Sequence, residues 1–170
     1  MATPIEHRAT FAHAPAEVFA AETDPRALRA RLDRLGGTHT ELSAHAETDD
    51  GVRYTLVQGV PADRLPAAVR KLHSGDLLVR REYTWTVGGA EEGEAYSGSV
   101  VVHVGELPGR ISARTGVTRS GDESVLWTRG EVVVRIPLVG GKIESFVAEQ
   151  IRALLAREAD LTAQWLAGPR

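Results

Sequence analysis

The run from Gly140 to Leu166, GGKIESFVAEQIRALLAREADLTAQWL, restricts what this chain can fold into more than any other stretch. No glycine or proline interrupts it after Gly141. Ile143, Val147, Ile151, Leu154, Leu161 and Trp165 recur with a helical period and fall on one stripe. Ser145, Glu149, Arg152, Ala156 and Asp160 fall on the opposite side. The pattern predicts one amphipathic helix of about seven turns, well beyond the mean length of globular helices. A helix this long has to lay its apolar stripe against a large surface, and the rest of the chain has to provide it.

Most of what precedes reads as strand. Ile5 to Ala12 alternates loosely and carries Phe11. Ala14-Pro15-Ala16-Glu17 opens a short helix that ends near Thr23, with proline at an early position where its missing N–H costs little. Asp24-Pro25 opens another, with Leu28, Leu32 and Leu35 as its stripe and Gly36-Gly37 as its stop. Arg26, Arg29, Arg31 and Arg34 are read as its solvated faces, with an anion-binding patch as the alternative. From Thr38 the period changes to two: Leu42, Ala44 and Ala46 alternate with Glu41, Ser43, His45 and Glu47. Asp49-Asp50-Gly51 then marks a hairpin, and the return strand carries Val52, Tyr54 and Leu56.

Gly59-Val60-Pro61 ends that strand, and Leu65 to Leu72 reads as a helical turn. Bounded by Gly59 and Gly75, it is either a gate over a cavity mouth or a fixed connection. The strongest strand runs from Leu77 to Val87, with Leu77, Val79, Arg81, Tyr83, Trp85 and Val87 in one parity. A turn at Gly88 to Gly93 leads into Tyr96 to Val104, followed by strands at Arg110 to Thr118 and Val125 to Ile136. The fold class is therefore α+β: a curved antiparallel sheet of about six or seven strands wrapped around a long C-terminal helix, with two short helices after the first strand. No repeat or linker divides residues 1–170, so they are read as a single domain.

Composition removes several function classes. The net charge of -3 and the lack of a basic block give no footprint for nucleic acid. With no cysteine, disulfides and thiolate chemistry are excluded. Pro4, Glu6, His7 and Arg8 break any apolar leader, and no run approaches the roughly 20 apolar residues of a membrane span. The expectation is a cytoplasmic protein without stable membrane insertion; nothing speaks to its oligomeric state.

The layout resembles the helix-grip fold of the START-like, polyketide-cyclase-like superfamily over nearly the whole chain, Ile5 to Leu166. The resemblance rests on Phe11-Ala12-His13-Ala14-Pro15-Ala16-Glu17-Val18-Phe19, on Pro137-Leu138-Val139-Gly140-Gly141-Lys142-Ile143-Glu144 leading into the last helix, and on Trp165-Leu166 near its end. More narrowly, the chain is similar to the bacterial family called domain of unknown function 2505. The superfamily resemblance implies an apolar cavity between sheet and long helix, used for lipids, polyketides or other hydrophobic molecules. Some superfamily members are cyclases or hydratases and others carriers or sensors, so the resemblance is to a fold and not to an activity.

A search for catalytic spacings assigns no catalytic residue. Gly140-Gly141-Lys142 fails the phosphate-loop pattern at Ile136 and Ile143. His39 and His45, sharing a strand parity with Glu41 and Glu47, lack the three or four converging ligands a metal needs and are read as a solvated face. No metal and no cofactor is expected. Glu91-Glu92-Gly93-Glu94 reads as a loop tip.

What remains is a candidate ligand-binding set. Tyr54, Tyr83, Trp85 and Tyr96 share the parity of the concave face, where they either pack the core or line a cavity with Ile151 and Leu154. Arg81 has the same parity, and Glu158 falls inside the apolar stripe of the long helix with Gln150 at its edge. Arg81 and Glu158 either meet in the sheet–helix space or end separately, the arginine at the sheet edge and the glutamate at a wet mouth. The function expected is binding of a small hydrophobic or amphipathic ligand such as a lipid or polyketide. The rival readings are a cyclase- or hydratase-type enzyme using tyrosine and carboxylate as acid and base, and an interaction module without a cavity.

Overall fold

A computed structural model describes residues 2–88 and 94–168. Its elements in chain order are β1 (Thr3–Phe11), α1 (Pro15–Thr23), α2 (Pro25–Leu35), β2 (Thr38–Glu47), β3 (Gly51–Val60), α3 (Ala67–Arg70), β4 (Leu77–Val87), β5 (Glu94–Val104), β6 (Gly109–Ser120), β7 (Glu123–Val134) and α4 (Gly140–Ala167). A short 3-10 turn at Ala62–Arg64 precedes α3. Among the described residues seven strands form one antiparallel sheet in the order β1-β7-β6-β5-β4-β3-β2. The long helix and the α1–α2 pair pack together on it, giving the α+β helix-grip architecture. The acidic segment 91–93 of the expected loop lies outside the described residues.

Local chemistry accounts for the elements. The Asp24 carboxylate accepts the N–H of Arg26 at 2.7 Å and caps α2. Gly36, at φ 75°, stops it in a conformation that costs a side-chain-bearing residue more. The strand β4 has the expected bounds, and Leu77, Arg81 and Trp85 are buried on its inner side. Val87, expected on the same face, is exposed because the strand ends there. In β2 the alternation is broken: the register shifts between Leu42 and Ala44, and Leu42 pairs with Leu56 while His45 pairs with Tyr54. This bulge places an extra residue in β2, so His45 joins Leu42 opposite the inward Tyr54 and Leu56 and parts from Glu41, while Glu47 keeps the parity of His45 and pairs with Val52 at the strand end. The His45 ring then bonds the Thr23 carbonyl at 2.7 Å, and His39 lies 3.8 Å from Asp76 at the far end of the strand.

The core has three parts. The largest joins Phe11, Val18, Leu28, Leu32, Tyr54, Leu56, Trp85 and Val117 under α1 and α2. A second gathers Ile5, Ile111, Val132 and Ala148 beneath the middle of α4. The third holds Leu65, Val69, Leu77 and Ile143, which seats α3 against the start of α4. Burying these side chains at roughly 25 cal/mol per Å² is the main force holding α4 to the sheet.

The buried stripe of α4 differs from the expected one. Ile143, Glu144, Ala148, Glu158, Thr162 and Leu166 are buried, whereas Leu154, Leu161 and Trp165 are only half-buried. The helix changes partners along its length, touching β1 and β7 and also α1 and α2, so its buried face is drawn round toward the α1–α2 pair in the second half. Its first turn is fastened through Glu144, whose carboxylate accepts the Val134 N–H at 2.8 Å and the Thr3 hydroxyl at 3.0 Å. Just before it, Leu138 stands fully exposed with φ 72°. Among the described residues no helix is long and apolar enough to cross a membrane.

Candidate functional site

The site grows from two charged side chains that sit where apolar ones are expected. Arg81 on β4 and Glu158 on α4 are each 5 % exposed and meet face to face. Arg81 Nη1 donates to Glu158 Oε1 at 2.9 Å, and Nη2 donates to Oε2 at 2.8 Å. This parallel two-bond geometry is the strongest arrangement available to the pair. Arg81 Nη2 also donates to Gln58 Oε1 at 2.9 Å, and Nη1 to the Tyr83 hydroxyl at 3.2 Å. Of the two alternatives left open by the sequence, the charges meet.

A second pair, read from the sequence as part of a solvated face, lies against the first. Arg31 on α2 is buried, and its Nη1 donates to Glu22 Oε2 of α1 at 2.7 Å. Its Nε lies 3.5 Å from Glu158 Oε2, which links the two pairs through one carboxylate. The Thr162 hydroxyl donates to Glu22 Oε2 at 2.8 Å and accepts from Arg31 Nη1 at 3.3 Å. Two guanidinium groups and two carboxylates therefore balance within one buried cluster that draws on the sheet, α1, α2 and α4. The signal for Arg31 was partial: on the α2 wheel it flanks the apolar stripe of Leu28, Leu32 and Leu35, next to Leu35. Glu22 lies one turn beyond the buried Val18 in the same way.

Electrostatics hold the cluster in its charged form. Burial works against the charge of Glu158, but Arg81 and Arg31 more than offset it and hold the carboxyl below its ordinary value. Burial likewise opposes the charges of Arg31 and Arg81, and the facing carboxylates raise both above the ordinary arginine value. The tyrosines beside the cluster respond in the opposite sense, since burial penalises the phenolate. It pushes Tyr54 well above its usual value, and it raises Tyr83 against the pull of Arg81. The two rings stack with centroids 4.8 Å apart, and Trp85 Nε1 donates to the Tyr54 hydroxyl at 3.3 Å.

The remaining candidate residues are distributed differently from the expected common wall. Trp85 and Tyr96 pack on Phe19 of α1, Tyr96 stacked at 4.0 Å and Trp85 edge-on at 5.7 Å. Ile151 packs with the second core group, beside Ile5 and Val132. Leu154 is half-buried, and Gln150 is exposed on α4 and does not join the charged cluster. The wall fails to form because the α1 ring of Phe19 enters the space that sheet parity alone leaves open.

Two hollows lie away from these aromatic rings. A cleft of about 180 Å³ runs between the α1–α2 pair and the last turns of α4. Ala21, Ala27, Ala30, Arg31 and Arg34 form one side of it, and Leu161, Thr162, Gln164 and Trp165 form the other. Arg31 and Thr162 thus belong both to the cleft and to the charged cluster behind it. A smaller hollow of about 60 Å³ lies near the start of α4, against Val102, Ile111, Val134 and Val147. Neither is lined by Tyr83, Trp85, Tyr96, Ile151 or Leu154. Among the described residues no group of three or more histidine or acidic side chains is placed to hold a metal.

Comparison with known proteins fixes the lineage. Residues 6–166 match the model of the family described as protein of unknown function DUF2505. The chain belongs to this family. The relatives of this DUF2505 member include the uncharacterized protein Rv0481c of Mycobacterium tuberculosis, 36% identical over 122 residues that cover 69% of this chain and 68% of that one. Among solved structures it is similar to protein CV1439 from Chromobacterium violaceum, with TM-score 0.59, 16% identity and 98% of each chain covered. It is also similar to a START superfamily protein from Mycobacterium smegmatis, with TM-score 0.53, 13% identity, and 96% of this chain and 98% of that chain covered. At such identities the likeness is one of fold, and the fold this DUF2505 chain shares with them is the helix-grip architecture.

Proposed function

We propose that the protein binds a small hydrophobic or amphipathic molecule between the sheet and α4, admitted through the α2–α4 cleft. The observation that supports this most is the charged cluster. A buried ion pair is seldom more stabilising than well-packed apolar side chains of the same volume. Four buried charges at the junction of every layer therefore make little sense as ballast, and good sense as a polar end wall for a ligand. Arg31 and Thr162 present that wall to the cleft; Arg81, Glu158, Tyr54 and Tyr83 hold it rigid from behind.

The cleft volume of about 180 Å³ falls below the roughly 300–1,000 Å³ of drug-sized ligand pockets. In this conformation it admits a single-ring molecule. A lipid or polyketide enters by parting α2 from α4, which brings Trp85, Tyr96, Ile151 and Leu154 within its reach. The packed rings of Phe19, Trp85 and Tyr96 favour a second reading, an interaction module that holds no ligand. The net charge of -3 supports a protein without a nucleic-acid partner.

Native mass spectrometry of freshly purified protein, followed by thermal shift against neutral and charged amphiphiles, separates the two readings. A discrete co-purified mass, or a saturable rise in melting temperature that is lost when the cleft is filled, supports the ligand reading. Bare protein with no shift for any probe leaves the interaction module.

A further inference from the structure

Resting on that reading, we infer that the ligand of the α2–α4 cleft is a planar aromatic carboxylate, its acid group held by Arg31 and Arg34 and its ring laid against Trp165. The lining contains two guanidinium groups and no carboxylate. Arg31 is neutralised from behind by Glu22 and Glu158, and Arg34, among the described residues, forms no ion pair. Arg34 donates only a long bond of 3.4 Å to Gln164 Oε1. The cleft therefore carries one uncompensated positive charge at its rim, which favours an anion and disfavours an amine.

The geometry also selects the shape of the anion. Arg31 and Arg34 are neighbours along one face of α2, one turn apart. The Arg31 fork is fixed from behind: Nη1 is engaged by Glu22 and Thr162, and Nε faces Glu158. Among the described residues its Nη2 makes no hydrogen bond and remains for the ligand. A fixed guanidinium edge beside a second, exposed one matches a carboxylate, whose two oxygens accept in parallel. The other half of the lining is apolar: three alanine methyls, Leu161 and the half-buried Trp165 ring. A bare inorganic anion leaves that half unused. The volume of about 180 Å³ is close to the roughly 150 Å³ of a protein cavity that accepts benzene, so one ring with its carboxylate fills the space.

The test uses the full chain and follows intrinsic tryptophan fluorescence, to which Trp85, Trp127 and Trp165 contribute, together with titration calorimetry. The probes are benzoate, benzamide, benzylamine, inorganic phosphate and the neutral dye N-phenyl-1-naphthylamine. The expected result is benzoate bound more tightly than benzamide by on the order of tenfold, the worth of a charge-assisted contact, with no binding of benzylamine. Arg34→Gln, at an exposed position, should lower benzoate affinity to that of benzamide, and Ala30→Leu should abolish binding of both. Equal affinity for benzoate and benzamide, phosphate binding as tight as benzoate, or titrations unchanged by either substitution would each overturn the inference. If the dye binds and benzoate does not, the carboxylate assignment fails while the ligand reading stands; if no probe binds, both fail.

Discussion

Replacing Glu158 by glutamine tests the charged cluster where its effect is largest. The change keeps the volume and removes one negative charge from between two guanidinium groups, at 2.8 Å from Arg81 Nη2 and 3.5 Å from Arg31 Nε. Breaking a buried pair by removing one partner typically costs about 3–5 kcal/mol, because the other charge is left uncompensated. In a domain of this size that lowers the melting temperature by roughly 10 °C, at 2–4 °C per kcal/mol. Arg81→Met alone strands the Glu158 charge with only the longer Arg31 contact, and should cost about as much. The double variant differs in kind: it leaves Arg31 and Glu22 as a balanced pair bonded at 2.7 Å, so no charge is orphaned. Its loss should therefore fall well short of the sum of the single losses, by about 2 kcal/mol or more. Urea unfolding of the four proteins gives the coupling directly. Additive losses would refute the claim that the two groups interact, whatever the distances suggest.

Two further outcomes follow from the same structure. The folded-state pKa of Glu158 is depressed, so its contribution to stability is fully present above its ordinary value of 4.5 and is lost as pH falls from there toward the lower folded value. Urea midpoints measured across that range should fall more steeply for the native protein than for the already weakened Glu158→Gln, and parallel curves would count against the assignment. Leu138 holds φ 72° with its side chain wholly in solvent, so it bears left-handed strain without compensating burial. Leu138→Gly should then stabilise the protein by about 0.5–1 kcal/mol, the relief exceeding the added chain entropy; a destabilised variant in thermal unfolding would show that the leucine is held by contacts of its own.

The fold was legible because its signals are periodic. Strand β4 kept the bounds read from its alternation, and Arg81 and Glu158 betrayed themselves as charges in apolar phase. What stayed hidden depended on the third dimension. Arg31 was lost among four arginines of one helix, since a wheel cannot say which flank of its apolar stripe will be covered by α1 and α4. The face of His45 was inverted by a bulge, and one inserted residue in β2 reverses every side chain beyond it. The expected cavity wall was dissolved by Phe19, a residue from a separate element whose approach no strand parity records.

The sheet order has a consequence for how the chain comes together. β1 is an edge strand whose hydrogen-bonding neighbour is β7, so Thr3 meets Val132 and Phe11 meets Ser124. The strands β2 to β6 each find a partner next to them in sequence, and that ladder is able to zip as the polypeptide leaves the ribosome. β1 precedes the other strands and has no place in the sheet until β7 has been made, and Glu144, which accepts from both Thr3 and Val134, comes later still. Such long-range closure carries the entropy cost that slows folding. β1 therefore completes the sheet only once the other six strands are in place, and its pairing with β7 is the contact of longest sequence separation in the sheet.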